Sequence, residues 1–365
     1  MTAKGMQIAV HVNGEPGGFA REWIARLLEI GARVKSVDCH ADDIMRQLED
    51  CDGLMWHWSH SDPAAILVAR QIVASVEASG RPVFPDSRTC WHFDDKVGQK
   101  YLLEGIEAPL VPSHVFLEKD AALAWLETAR VPLVFKLRGG AAAQNVRLVP
   151  TRSEARRLVR RMFGRGLPPL DQRNLVKDRY RRLKARRDPG ALWGLARGVA
   201  RWMIPSRVER VKGRESGYCY FQEFMAGNDG DTRVIVIGSR AFAIQRFNRE
   251  HDFRASGSGR IGYDHTAIDL RCVRIAYDVA SRLGAQCLAF DFVRDAAGAP
   301  RIVEISYAFS APAYDASEGY WDRDMRWHDG CIHPLTWMVD DFVASIPTAT
   351  SAATLELLEC AAVGP

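Results

Sequence analysis

AFDFVRDAAGAPRIVEIS, residues 289–306, places two short strand-like runs on either side of a turn. Ala289–Val293 and Arg301–Ser306 alternate bulky apolar residues with polar ones, and Asp295-Ala296-Ala297-Gly298 has the small, polar composition of a hairpin loop. Asp291 interrupts an otherwise apolar strand between Phe290 and Phe292. A period of two puts Glu304 and Ser306 on one face of the second strand, and hairpin pairing brings Asp291 beside them. Converging oxygen groups of this kind suit Mg2+, which takes a few carboxylates, substrate phosphates and water. The same spacing also describes solvent-facing acids on a half-exposed hairpin.

Three upstream segments suit the same task, holding a nucleoside triphosphate and its metal. Lys136 ends the strand Leu133–Leu137, just ahead of the small-residue loop Gly139-Gly140-Ala141-Ala142-Ala143. A lysine in a buried strand calls for an anion to neutralise it, and small loop residues let backbone N–H groups approach phosphate oxygens. An edge lysine that snorkels to water would give the same sequence. Gln222-Glu223-Phe224-Met225 and Asp231-Thr232-Arg233 flank a Gly-rich turn, with strands expected at 218–224, 233–237 and 241–247.

The N-terminal 85 residues alternate strands (7–12, 34–37, 54–58, 82–84) with helices (19–30, 41–48, 63–79), a pattern of α/β domains with a mainly parallel sheet. In helix 19–30, Trp23, Leu27, Leu28 and Ile30 are expected to face inward. The segment Asn13–Gly18 is glycine-rich without the GxGxxG spacing of a dinucleotide loop. Further helices are expected at 94–104 and 267–283, and Thr151 with Glu154 has the spacing of a capping box.

Taken in order, these motifs resemble the ATP-grasp superfamily from about Cys90 to Phe342. Asp95-Lys96 runs through a helix into the turn Gly105-Ile106-Glu107-Ala108-Pro109. Lys136 precedes the loop, Gln222–Met225 match a nucleotide hinge, and Asp252-Phe253-Arg254-Ala255-Ser256 precede the metal strands. The resemblance implies an α/β ATP-grasp fold and an ATP- and Mg2+-dependent carboxylate–amine ligase acting through an acyl phosphate, with a kinase on a hydroxyl acceptor or a nucleotide-binding scaffold without turnover as the alternatives. It implies that Lys96, Lys136, Gly139 and Gly140 meet phosphates, that Gln222, Glu223 and Phe224 cradle adenine, and that Asp231 meets the ribose. Arg233, Arg254 and Ser256 would line the phosphoryl site, and Asp291, Glu304 and Ser306 would hold the metal. Ser306 stands where glutamate-type ligases carry Asn. Phe253–Asp264, Glu304–Phe309 and Gly319–Gly330 resemble a bacterial subgroup associated with surface-polysaccharide gene clusters. The aromatic set Tyr307, Tyr314, Tyr320, Trp321 and Trp327 fits either a sugar-sized pocket or a packed cap.

The expected organisation is an N-terminal domain (1–87), a central lid subdomain (88–225) with a basic helical insertion (152–214), a catalytic subdomain (226–345) and a tail (346–365). The insertion carries 20 Lys and Arg against 5 Asp and Glu, an excess of 15 in a chain of net charge +4, so the remainder is acidic by 11. With Trp193 and Trp202 at helical spacing, it fits an anionic membrane surface, a lipid-linked acceptor, or a solvated helix packed on the body. Aromatic residues do not alternate with its charges as in nucleic-acid platforms. Eight scattered cysteines without a CxxC pair exclude a disulfide scaffold and fit a reduced, cytoplasmic setting. The histidines form no HExxH pattern and there is no GxSxG elbow, which argues against zinc and serine-nucleophile chemistry.

Overall fold

The computed structural model describes residues 3–12, 18–140, 145–169, 207–249 and 252–347. Outside these residues lie most of the Asn13–Gly18 segment, the centre of the small-residue loop, most of the basic insertion with Trp193 and Trp202, and the tail beyond 347.

Strands β1 (Gln7–His11), β2 (Arg33–Val37), β3 (Gly53–Met55) and β4 (Val83–Phe84) pair in parallel, in the order β2-β1-β3-β4. The crossover helices form because their sequences start and stop well. Pro63–Ala78, for example, has Asp62 accepting from the Ala64 N–H and proline in its first turn. Two expectations need correction here. Leu28 points to solvent (58% exposed), because the apolar stripe of helix Ala20–Glu29 is only wide enough to bury Trp23 and Leu27. The helix expected at 41–48 is one turn, Ile44–Gln47.

The central sheet contains β5 (Ser113–Phe116), β6 (Leu133–Lys136), β7 (Val146–Val149) and β8 (Cys219–Glu223), antiparallel in the order β5-β8-β6-β7. Strand 218–224 therefore belongs with Lys136, not with the hairpin that follows it in sequence. β5 and helix Lys119–Thr128 have no counterpart in the sequence reading: four residues containing His114 carry too little periodicity, and pairing to β8 alone defines the strand.

The third sheet is built from β9 (Gly230–Ile237), β10 (Arg240–Phe247), β11 (Ile261–Gly262), β12 (Cys287–Arg294), β13 (Pro300–Ser306), β14 (Gly319–Trp321) and β15 (Trp327–Asp329). Its order is β13-β12-β9-β10-β14-β15, with β11 paired to β10. Helix Leu270–Leu283 packs on one face and ends at Gly284 in the left-handed region. On the other, Ile235, Ile237 and Phe242 share a core with Ile8, Val10, Trp23 and Phe84 of the N-terminal domain and Phe342 of helix Pro334–Ser345. Arg26 adds a paired contact to Asp340, at 2.9 and 3.1 Å.

The aromatic residues near the C-terminus are mostly cap and joint. Tyr307 is fully buried; its hydroxyl accepts from the Trp58 N–H (3.2 Å) and donates to the Trp58 carbonyl (3.0 Å). Trp327 stacks on His265 at 4.0 Å and Tyr320 on His328 at 4.9 Å. Only Tyr314 of this set reaches the main cavity. Replacing Tyr307 with Phe leaves both backbone groups of Trp58 unpaired in the core. Tyr307→Phe is expected to cost about 1–3 kcal/mol, read as a lowered chemical-denaturation midpoint with unchanged slope.

Candidate active site

A cavity of about 700 Å3 lies between the central sheet and the third sheet, with the ends of the N-terminal strands closing one side. Its floor is one face of the third sheet. Asp291 on β12 is directly opposite Arg233 on β9 and Glu304 on β13, so the three form a row across adjacent strands. Two residues before Arg233, Asp231 faces Arg246 on β10. The register predicted from the hairpin, Asp291 beside Glu304, is the register observed.

These charges neutralise one another. Arg246 grips Asp231 with two hydrogen bonds, 2.6 and 2.8 Å, and reaches Asp291 at 2.8 Å. Arg233 lies 3.2 Å from the other Asp291 oxygen, which has no well-directed hydrogen bond of its own. Burial pushes the Asp291 carboxyl up, but the two guanidiniums outweigh it and hold it below the ordinary carboxylate range. Asp231 is thus engaged by Arg246 rather than open toward a ribose. Arg246 is absent from the sequence reading, although counting back from the Gly238-Ser239 turn sets it opposite Asp231.

The wall facing this floor belongs to the central sheet. Lys136 is fully buried, and its Nζ has a single long hydrogen bond, 3.5 Å, to the Val303 carbonyl. No carboxylate lies within ion-pair distance of it among the described residues. Burial brings its ammonium down to about 8, against the pull of Glu304 and with a further push from Lys96. The Val303 carbonyl is available because β13 carries a bulge there: Asp291 pairs with Glu304 while Phe292 pairs with Ile302. Gln222 donates to the same carbonyl at 3.4 Å and to Ser113 Oγ at 3.0 Å; Tyr220 also donates to Ser113. Ser113 is a second residue that sequence reading did not single out.

Lys96 enters from helix Lys96–Gly105, whose N-cap Asp95 accepts from the Gly98 N–H. Its Nζ lies 3.2 Å from Glu304 and donates to the Gly140 carbonyl at 2.7 Å. Burial opposes its charge, but Glu304 and Asp94 outweigh it and raise its pKa. Glu223, Phe224 and Met225 line the far end of the cavity, where the Phe224 ring meets Phe253 edge-on at 5.9 Å. Arg254 and Ser256 also line the cavity, with Arg254 hydrogen-bonded to Asp252. Gly139 and Gly140 do not line it; Gly140 is joined to it through Lys96, which pairs with Glu304.

The donor set fits Mg2+ at Asp291 and Glu304: two carboxylates on one rung, one with a buried oxygen lacking a directed partner. Ser306 fits less well. Its hydroxyl donates to the Ala308 carbonyl (2.9 Å) and accepts from the Ala308 N–H (3.1 Å), so it is committed to a local turn. Away from this cavity, ligand atoms of His11, Asp38 and His40 lie within 4.8 Å of one another. There, His11 Nδ1 already accepts the Cys39 N–H at 2.9 Å.

No family model matches the chain, and no curated protein does. Solved structures do. A RimK domain ATP-grasp protein from Sphaerobacter thermophilus superposes with a TM-score of 0.53 at 14% identity, over 93% of this chain and 100% of that one. D-cycloserine synthetase DcsG gives 0.58 at 13% identity, over 93% and 100%. The ATP-grasp ligase PsnB, solved with a minimal precursor, Mg and ADP, gives 0.52 at 13% identity, over 92% and 97%. The chain has the ATP-grasp fold.

Lys136 generates a prediction with a defined sign. Between pH 8 and the ordinary lysine value near 10.4, the unfolded chain binds the proton that the folded chain has released. Stability conferred by this group therefore rises with pH across that window. Lys136→Met is expected to melt at or above the wild-type temperature at pH 7, with its advantage shrinking from pH 8 to 10. A melting difference independent of pH would contradict the buried, unpaired lysine.

Proposed function

We propose that the protein is an ATP- and Mg2+-dependent ligase that joins a carboxylate to an amine. The supporting observation is the row Arg233–Asp291–Glu304 lining one cavity with Lys136, and Lys96 3.2 Å from Glu304 at its edge. Such an array aligns phosphates with an acceptor and neutralises charge as it develops, which is most of what phosphoryl transfer asks of a protein.

In this reading Lys136 and Lys96 hold nucleotide phosphates, the residues Gln222–Phe224 seat the base, and Asp291 and Glu304 hold the metal. Bound there, Mg2+ draws electron density from the transferred phosphoryl group. Arg233, beside Asp291 on the cavity floor, would orient the acceptor carboxylate, and Arg254 would flank it. A carboxylate oxygen of the acceptor would bond to the γ-phosphorus as the bond to ADP breaks, and the amine would then attack the acyl carbon, lose a proton and expel phosphate. His57 and His60 line the acceptor side of the cavity, and burial takes His57 down to about 4 and lowers His60, so both present neutral rings.

The sequence resemblance supports a sugar acid or amino acid of surface-polysaccharide synthesis as the carboxylate. The charge of the insertion supports an anionic or lipid-linked acceptor. Among the described residues, no helix is long and apolar enough to cross a membrane. A kinase acting on a hydroxyl would use the same cations. Incubation with ATP, Mg2+, a panel of carboxylates and hydroxylamine separates the two: hydroxamate with ADP is expected, whereas a stable phosphate ester would establish the kinase.

Glu304→Gln preserves volume and removes a ligand charge. It is expected to lower Mg2+-dependent ADP release by more than about 100-fold, the equivalent of a few kcal/mol of metal-borne charge stabilisation. Undiminished release by a folded variant would remove Glu304 from the metal site.

A further inference from the structure

Behind the wall of the cavity, one carboxylate occupies a set of donors better suited to phosphate. Asp94 Oδ1 accepts from the Gly140 N–H at 2.6 Å, and Oδ2 is 2.6 Å from Lys212 Nζ. The peptide of Gly140 is held at its other end too, since its carbonyl accepts from Lys96. Two lysine ammoniums and the N–H of a small-residue loop are the groups that gather around a phosphoryl oxygen. Both side chains of the ion pair are mostly buried, Asp94 12% and Lys212 16% exposed.

Two further observations mark Asp94 as more than a surface salt bridge. It has φ +54°, an uncommon conformation for a residue with a side chain, and one that is held only when its surroundings impose it. Gly139 permits the arrangement: a Cβ there would lie 3.1 Å from Asp94 Oδ2 and 3.2 Å from Lys212 Nζ. A second cavity of about 290 Å3, lined by Asp94, Gly139, Arg138 and Lys212, opens beside the pair and leaves the carboxylate room to turn. Trp58, Ser59, His60 and Phe93 line both cavities, so the pair stands next to the main one.

We propose that Lys212 is a further phosphate-binding residue held by Asp94 in the ligand-free protein, and that nucleotide phosphate displaces the Asp94 carboxylate from Lys212 and from the Gly140 N–H. This rests on the nucleotide reading of the main cavity. It gives the last part of the basic insertion a place in the site: Lys212 ends helix Arg207–Lys212, far in sequence from the lysines at 96 and 136.

ADP with Mg2+, titrated calorimetrically, tests it, with adenosine as the ligand lacking phosphate. Asp94→Asn keeps an acceptor for Gly140 and a side chain tolerant of positive φ, but removes the competing charge. Asp94→Asn should tighten ADP binding by about three- to tenfold, and Lys212→Gln should weaken it by about tenfold. In the Lys212→Gln background, Asp94→Asn should bring no gain, and adenosine affinity should not change in any variant. Thermal melts confirm that each variant is folded. Weaker ADP binding by Asp94→Asn would make the carboxylate a support of the loop and overturn the proposal, as would ADP binding indifferent to Lys212. Failure of the unmodified protein to bind ADP would sink the nucleotide reading and this one together.

Discussion

Five ionised side chains share one face of a β-sheet, and burial of that face is tolerable only if they neutralise one another. Asp231 meets Arg246 and Asp291 meets Arg233 at the same level of adjacent strands, Arg246 reaches a further strand across to Asp291, and Glu304 is neutralised by Lys96. Lys96, Lys136, Arg233 and Arg246 stand against Asp231, Asp291 and Glu304, four cations to three carboxylates in this cluster, and Lys136 is the one without an ion-pair partner among the described residues. A site in that balance has charge to offer an anion. The bulge at Val303 belongs to the same constraint, since it turns out the carbonyl that Lys136 needs while no anion is bound.

Sequence reading reached much of this because hairpins obey simple counting. The Asp291–Glu304 pairing follows from a short turn and a period of two, and the parallel N-terminal sheet follows from alternating runs. The motif order then supplied the fold, which the solved structures bear out. What stayed hidden depended on contacts between distant segments. Arg246 is one of many arginines until the hairpin register places it on Asp231. Ser113 lies on a strand too short to announce itself, and Tyr307 fitted a ligand pocket as well as a packed cap because nothing local shows its hydroxyl meeting Trp58, 249 positions away. Ser306 was legible as an oxygen donor, but its turn to Ala308 was not.

The three sheets divide the work. The third sheet fixes the charged floor, the central sheet brings Lys136 and the end of β8 over it, and the ends of the N-terminal strands close the side with His57, Ser59 and His60. The joint between the N-terminal and third sheets is a shared apolar core, supplemented by the hydrogen bonds of Tyr307 to Trp58 and of Arg26 to Asp340. The Gly139–Gly140 segment is fastened differently, through hydrogen bonds of the Gly140 peptide to the charged side chains of Lys96 and Asp94.

The central claim is that nucleotide occupies the cavity between the central and third sheets. Amide hydrogen exchange with and without ADP and Mg2+ tests this most directly. The account predicts slowed exchange at residues 222–225, at Gly139–Gly140 and along 289–306, with the parallel sheet of β1 to β4 unchanged. Protection confined to the N-terminal sheet, or none at saturating nucleotide, would contradict it.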